Sequence, residues 1–183
     1  GGGLDTFRML YQDGLYYPYV WKVRHFQEQN PNEMESWFTP AGKPYSFRQK
    51  LGEDEPGAAL SRDSAFAIAM AGLTDEWSIN LDEYELVEES EKTQPGGRVD
   101  HSFTYQRAGF SIGKNGFLRF NLKVQGDVLG EYNHYGQVPE AFQRRFSEMR
   151  SANDTIAFSA TMAIGVLYVL FGCLVGTFML LRQ

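Results

Sequence analysis

Cysteine is nearly absent from this chain, and its histidines are not clustered. The single cysteine, Cys173, lies inside a long apolar run, so the rest of the sequence has no disulfide and no thiolate chemistry. His25, His101 and His134 are scattered, without the His-x3-His or cysteine spacing of zinc sites. We therefore predict no metal site and interpret the histidines as partly exposed strand residues. Convergence of all three on one metal is the alternative.

Motifs for phosphate binding are also lacking. The sequence has no Gly-x4-Gly-Lys-Ser/Thr string, and Gly96-Gly97 follows a proline in a pattern typical of a hairpin turn. We predict no nucleophilic catalysis, no catalytic residue and no cofactor-binding residue in this chain.

Acidic residues occur in two clusters, without the Asp-x-Asp-x-Asp-Gly pattern of a calcium loop. The first is Glu53-Asp54-Glu55. The second runs from Glu85 to Glu91 and includes Glu88 and Glu89, which cannot face the same way on a strand. We interpret the first cluster as a solvated loop and the second as protection of an edge strand. The alternative for these clusters is a cation-binding or catalytic role.

Positive charge is scarce relative to negative charge. The chain has 17 Lys and Arg against 23 Asp and Glu, for a formal net charge of −6. No basic stripe interrupts this acidic balance. The composition therefore argues against a nucleic-acid partner and against electrostatic docking on anionic lipid.

Long apolar runs are absent until the C-terminus, where Ile156–Leu181 has no charged residue. A helix needs about 20 apolar residues to cross the hydrocarbon core. This run of about 26 residues would rise about 39 Å at 1.5 Å per residue. We predict a transmembrane helix over 156–181, with the lipid bilayer as its partner.

Small residues recur within this predicted span. Gly172 and Gly176 have the small-x3-small spacing that lets helices approach closely, and Gly165 lies seven residues earlier on the same face. We predict that these glycines pack against other transmembrane helices, of the same parent chain or of partner subunits. The alternative is that they have no such role.

The first third of the chain predicts a short helix over 5–12 and a small antiparallel meander. The strand candidates are Tyr17–Gln27, Glu33–Thr39 and Tyr45–Leu51, the last two separated by the turn-forming sequence PAGKP. An acidic loop over 52–60 follows.

The middle of the chain predicts one helix and a second meander. Ser61 is a suitable N-cap for a helix that ends at Gly72. The four strand candidates after it are Glu83–Lys92, Arg98–Arg107, Phe117–Gln125 and Val128–Tyr135, with a loop over 109–116. The fold class is α+β, and the repeated order of helix and meander suggests a duplicated unit.

A second helical pattern begins at Pro139 and shows no strong stop before Ile156. Phe142, Phe146 and Met149 are apolar at spacings of four and three, so we expect them to clamp this helix onto the sheet and couple domain to membrane. We divide the chain into an N-terminal segment (1–16), an extramembrane domain (17–138), a juxtamembrane helix (139–155) and a transmembrane helix (156–181).

Four strings carry a family resemblance: YYPYVWKVRHFQ, EDEPGAALSRDSAFAIA, YELVEESEKTQPGGRVDHSFTYQR and VPEAFQRRFSEMRSANDTIA. Over roughly Tyr17 to Ala157 the chain resembles the N-terminal extramembrane domain of bacterial CPBP-type (CAAX-protease-like) intramembrane metalloproteases. The helix-then-meander pattern around Leu60–Ala69 also resembles, more weakly, PepSY-like inhibitory or sensory domains.

The resemblance implies a membrane protease whose catalytic motifs lie elsewhere. The family's Glu-Glu-x3-Arg motif is not met at Glu88-Glu89, and neither of its histidine motifs is present. Zinc or another divalent metal would belong to a membrane part that this chain lacks. The chain is then expected to be a non-catalytic sensor or regulatory domain with its first following span, cut from a longer intramembrane metalloendopeptidase.

A different interpretation is a single-span accessory or structural subunit of a larger membrane complex. The orientation in the membrane is also open at this level. Arg144, Arg145 and Arg150 precede the span and Arg182 follows it, which by the positive-inside rule would place the domain in the cytoplasm. The resemblance implies the opposite, and we expect a bacterial inner-membrane protein with an extracytoplasmic domain.

Overall fold

The computed structural model describes residues 3–12, 14–73, 77, 79–113 and 115–182. Residues 1, 2 and 13 of the predicted N-terminal segment, and residue 114 of the predicted loop 109–116, lie outside the described residues. The chain divides into two compact units, Gly1–Val138 and Pro139–Gln183.

The first unit contains two helices, seven strands and a short 3-10 helix at Leu81–Glu83. The helices are α1 (Gly3–Gln12) and α2 (Arg62–Gly72). The strands are β1 (Trp21–Phe26), β2 (Glu33–Phe38), β3 (Pro44–Lys50), β4 (Tyr84–Thr93), β5 (Val99–Arg107), β6 (Phe117–Gln125) and β7 (Val128–Gln137). The second unit contains α3 (Glu140–Leu181).

All seven strands form one sheet in the order β1-β2-β3-β7-β6-β5-β4, and every neighbouring pair is antiparallel. The two meanders meet through their last strands, where Phe47 pairs with Tyr132 and Arg48 pairs with Glu131. This confirms the predicted α+β class of antiparallel meanders with one packed helix. The two halves differ in their helices, since α2 buries two alanines completely whereas Leu10 is the buried residue of α1.

Helix α2 begins and ends where its local sequence predicts. The Ser61 side chain accepts a hydrogen bond from the Ser64 backbone N–H at 3.4 Å, which satisfies one free donor of the first turn. Ala65 and Ala69, one turn apart, are fully buried against the sheet. Their small side chains let the helix lie close to β5, β6 and β7.

The core lies between α2 and the face of the sheet that we call the helix face. Strand alternation places every second residue of β6 in this core, including Phe120, Leu122 and Val124, each 0% exposed. The neighbouring strands contribute Phe103 and Tyr132. The aromatic rings pack edge-on and stacked, as between Phe103 and Phe66, so this half of the sheet has a continuous core.

Strand β1 is shorter than predicted. The sequence pattern predicts a strand from Tyr17, but β1 begins at Trp21, and all six of its residues are exposed. Pro18 has no N–H to donate to a ladder, and the Tyr17 ring instead packs edge-on against Tyr45 at 5.4 Å. The meander therefore ends in a short, open edge strand.

The second unit is a single uninterrupted helix of 42 residues. At 1.5 Å per residue it is about 63 Å long. It is the one helix of the described residues that is long enough and apolar enough to cross a membrane. The mean hydropathy of an 18-residue window within it is 2.4. Its hydroxyl side chains bond back into the helix, as Ser159 does to the Thr155 carbonyl at 2.8 Å. Such bonds satisfy polar groups that hydrocarbon would leave unpaired.

Candidate functional site

An apolar groove lies on the helix face beside the C-terminal end of α2. Its cavity has a volume of about 370 Å³, and no charged residue is among the described residues that line it. Its walls come from β2, β3 and β7 together with the tryptophan that follows α2. The residues that define it are Met34, Ser36, Phe47, Gly72, Trp77 and Leu129.

Two contacts shape this groove. A Cβ at Gly72 would overlap the side chain of Leu129, so glycine lets the end of α2 approach β7. Trp77 packs against Phe47 and Tyr132, with ring centroids 5.6 and 4.5 Å away. The groove is thus suited to apolar side chains or a small apolar molecule, with serine hydroxyls as its polar points.

A second cavity, of about 400 Å³, lies at the end of the sheet where β7 finishes. His134 stacks on Tyr45 with ring centroids 5.6 Å apart, and its Nε2 hydrogen-bonds the Tyr132 hydroxyl. Burial lowers the pKa of His134 to about 4 and raises the pKa of Tyr132 above its usual value. His134 is therefore neutral at pH 7 and acts as an aromatic wall of this cavity.

The opposite surface of the sheet, which we call the polar face, carries rows of alternating charge. Glu35 lies between Lys22 and Arg48, at 2.5 and 2.7 Å, and Trp37 lies beneath both cations. Hydrogen bonds from Arg48 and then Lys22 lower the pKa of Glu35 to about 2. Burial raises the pKa of the neighbouring Glu131. These cross-strand pairs hold β1, β2 and β3 in register.

A buried ionic cluster was missed by sequence reasoning. Arg98 and Asp100 are 2% and 3% exposed and are joined by a 2.8 Å hydrogen bond from Arg98 Nε. The Arg98 guanidinium also donates to the carbonyls of Gly52 and Glu55 at 3.3 and 3.0 Å. Burial by itself raises the pKa of Asp100, but the hydrogen bonds from Arg98 and Gln94 lower this pKa by a larger amount. The pKa of Asp100 therefore lies below its usual value. The sequence signal that could have revealed this cluster is the charged string RVDH at the start of a strand, where apolar residues do not follow the period-2 pattern.

This cluster fastens the predicted acidic loop 52–60 to the sheet. Besides the Arg98 contacts, the Gly96 N–H donates to the Glu53 carbonyl at 3.1 Å, and Val99 N–H donates to Ala58 at 3.1 Å. The acidic side chains of Glu53, Asp54 and Glu55 are exposed, as predicted for a solvated loop. Its backbone, however, is held in place by buried charge.

The three histidines lie on separate strands. His25 is on β1, His134 on β7 and His101 on β5. His25 and His134 are three strands apart, or about 14 Å across the sheet. The prediction of partial exposure is wrong for His101, which is 2% exposed and hydrogen-bonded through Nε2 to the Leu60 carbonyl at 2.9 Å. The described part of the chain brings together no metal-binding group of three His, Cys, Asp or Glu.

The second acidic cluster lies on β4, an edge strand of the sheet, as predicted. Glu88 pairs with Thr104 and Glu89 with Phe103, so the two glutamates face opposite sides. Glu89 bonds the Arg62 guanidinium, which ties the edge strand to the start of α2. This use of the carboxylates is structural.

A Gly-x-Ser-x-Gly string spans residues 109–113, and the prediction of no nucleophilic catalysis wrongly assumed that the sequence has none. In hydrolases this spacing places a nucleophile on a turn from a strand to a helix. Here it lies in the connection between strands β5 and β6. Ser111 Oγ donates to the Gly113 carbonyl at 3.1 Å, and Gly113 has a positive φ of 69°. The string therefore forms a turn and does not have the geometry of a nucleophile site.

The predicted residues of α3 lie on an exposed helix surface. A Cβ added at Gly165, Gly172 or Gly176 would meet no atom within 4 Å. Phe142, Phe146 and Met149 are 48%, 54% and 50% exposed. The first two stack on one another with ring centroids 6.3 Å apart. Helix packing through the glycines, and a clamp of the other three onto the sheet, stay predictions.

Scans against protein-family models, curated proteins and solved structures each return no match to this chain.

Proposed function

We propose that the chain is a non-catalytic sensor or regulatory domain, with its following span, of a CPBP-type intramembrane metalloprotease. The observation that carries the proposal is α3, which runs without a break from Glu140 to Leu181 and ends in a long uncharged run. The strings between Tyr17 and Ala157 support the family. The catalytic motifs, and the zinc or other divalent metal that they would hold, belong to a membrane part beyond this chain.

The groove beside α2 supplies the sensing surface in this proposal. It is open, apolar and built on β2, β3 and β7. Strand β7 ends at Gln137, and only two residues separate it from the start of α3. A ligand that alters the groove acts on the strand that leads directly into the membrane helix. The membrane in question is a bacterial inner membrane, with the domain on its extracytoplasmic side.

Removal of α3 should abolish membrane association. We expect the full chain to partition into detergent and the 1–138 fragment to stay in the aqueous phase, because the long uncharged apolar run of the chain lies in α3. The measurement is Triton X-114 phase partitioning with size-exclusion chromatography. A full chain that is monodisperse without detergent would show that α3 packs in a soluble core.

Residues 148–156, where the polar part of α3 meets its uncharged apolar part, should remain helical. Spin labels placed singly at 148–156, in a Cys173→Ala background, should show the low mobility of an ordered helix at every position. Ala152→Pro should raise mobility locally, because proline removes a helix hydrogen bond. One residue inserted after Ser151 should keep the order and turn the helix about 100°. Uniform high mobility over 148–156 in the unmodified helix would leave α3 as a plain tether.

The second candidate is a single-span accessory subunit of a larger membrane complex. The open surface at Gly165, Gly172 and Gly176 favours it, because close helix packing needs such small residues. The coding sequence after Gln183 separates the two candidates. Further spans carrying Glu-Glu-x3-Arg and the histidine motifs support the protease, whereas a stop codon supports the accessory subunit.

A further inference from the structure

One side of α3 carries a mostly apolar row of residues along its whole length. The row starts at Phe142 and continues by steps of four and three residues in turn, until it ends at the last residue of the helix. We call this row the α3 seam. Ten of its twelve residues are apolar, and the two exceptions are Asn153 and a threonine. This alternation is the heptad repeat of helices that wrap around one another, and it places Asn153 at an a position.

The first part of the seam crosses a charged stretch of α3. Residues 140–155 form about 24 Å of helix before the uncharged run begins, and Arg145 and Arg150 lie among them. Phe142, Phe146 and Met149 of the seam are nevertheless about half exposed. Large apolar side chains aligned on one side of a charged helix indicate that another surface covers them.

The membrane aligns two copies of this seam. Copies that share one bilayer in the same orientation have parallel α3 helices, and the uncharged run holds both helices at the same depth. Each seam residue then lies opposite the same residue of the other copy. Asn153 meets its own counterpart, and a single asparagine at an a position is a well-attested determinant of register in parallel two-stranded coils.

The seam also offers the area that a stable pair needs. Its eight large apolar side chains are each between 48% and 83% exposed. If each loses about 100 Å² of surface on pairing, two copies together bury about 1,600 Å², the size of a standard specific interface. Ala160 and Ala163 lie in the middle of the seam, where small side chains let two backbones approach closely in lipid.

We propose that α3 pairs in parallel with the α3 of a second copy of this chain, through the seam from Phe142 to Leu181. The second copy, rather than the chain's own sheet, then covers the exposed rings of the charged stretch. Gly165 lies two residues, or about 200° around the helix, from the seam residue Leu167. The glycine side of α3 therefore stays available to other helices. This inference rests on the membrane span of the proposed function.

Flanking charge gives this pair a specific weakness. In a parallel coil the residue before an a position faces the residue five positions later in the other copy, so Arg145 faces the second copy's Arg150. Symmetry produces this like-charged contact twice. Glu148 and Asp154, each one turn along the same helix from one of these arginines, offset part of the repulsion. Association of the unmodified chain should therefore tighten when salt screens the arginines.

Charge reversal at this contact is the first test. Full chains that carry a donor or an acceptor dye at the N-terminus are mixed in phosphatidylcholine vesicles, and energy transfer is followed as the lipid content is raised. Arg145→Glu places a carboxylate opposite Arg150 and should tighten association at least about fivefold. The matched control Arg144→Glu makes the same charge change on the outer side of α3 and should alter association less than about twofold. Equal responses of the two variants would overturn the proposal.

Cysteine cross-linking maps the contact directly. Single cysteines are placed in the full chain in a Cys173→Ala background, and disulfide formation between copies is followed in the same vesicles. Met149→Cys on the seam should cross-link at least about tenfold faster than Ser147→Cys or Ser151→Cys on the outer side, because pairing raises the effective concentration of the seam thiols. Equal rates would indicate random collisions, and faster reaction on the outer side would indicate a different interface. Either result overturns the proposal.

Phe146→Ala distinguishes the second copy from the chain's own sheet as the cover of the seam. We expect this variant to weaken association and to leave urea unfolding of the first unit unchanged. If association is unchanged and the first unit becomes less stable, the rings pack on the sheet and the inference fails.

The native Cys173 separates this inference from the proposed function. Protection of Cys173 from a membrane-impermeant thiol reagent shows that α3 is inserted. If Cys173 is protected but the seam cysteines have no advantage in cross-linking, the inference fails and the span stands. If Cys173 reacts freely, both fail.

Discussion

Replacing Arg98 by methionine should lower the free energy of unfolding of the first unit by about 3 kcal/mol, the lower end of the range for breaking a buried ion pair. The variant leaves Asp100 buried without its main partner and frees the Gly52 and Glu55 carbonyls from the guanidinium. We expect the lower end because Lys123, 3.6 Å from Asp100, can still compensate in part. The measurement is urea unfolding of the full chain in nanodiscs, followed by tryptophan emission.

The pH dependence gives this prediction a second readout. Because the pKa of Asp100 in the folded state is below its usual value of about 3.9, its contribution to stability is present above that pH and is lost as the pH falls through the folded pKa. Without Arg98 the buried carboxyl takes up a proton more readily. The difference between wild type and Arg98→Met should therefore shrink below about pH 4.

The matched control is Lys92→Met. Lys92 lies 3.5 Å from Glu53, and both side chains are more than half exposed. We expect a change of at most about 1 kcal/mol. The variant Asp100→Asn should also destabilise, and the double variant Arg98→Met, Asp100→Asn should cost less than the sum of the two. Equal effects of Arg98→Met and Lys92→Met would show that the buried pair does not hold the 52–60 loop.

Truncation of Phe120 should have an effect of similar or larger size, about 3–5 kcal/mol for Phe120→Ala. Phe120 is 0% exposed at the centre of β6. Its ring contacts Tyr105 and Tyr84, each with centroids 4.9 Å away, and Tyr132 at 5.9 Å. Alanine would leave a cavity that rings from three different strands cannot easily close. The same urea titration measures it.

Phe26→Ala is the control for Phe120. Phe26 is 66% exposed on the edge strand β1, where the Arg24 guanidinium lies 4.7 Å from its ring. Its truncation should cost about 1 kcal/mol or less. Phe120→Leu, which keeps most of the volume, should fall between the two alanine variants. If Phe120→Ala were as mild as Phe26→Ala, the helix face would not be the core of this unit.

Elements with strong local signals could be predicted from sequence. Strand β6 has the predicted bounds Phe117–Gln125 because buried and half-buried residues alternate along it from Phe117 to Val124. Helix α2 follows its N-cap at Ser61, and the turn glycines Gly42, Gly97 and Gly126 have positive φ. The apolar run near the C-terminus can be recognised from composition alone, without any tertiary contact, and α3 includes all of it.

The tertiary structure decided where the two meanders join and which charges are buried. The pairing of β3 with β7 links residues more than 80 positions apart, and no local pattern specifies it. The groove depends on that join, so it could not be placed from sequence. Arg98, Asp100 and His101 look like surface residues in the sequence, and their burial follows from the 52–60 loop folding over them. Hydrophobic alternation determines which side of a strand is apolar, whereas long-range packing determines what covers the polar side.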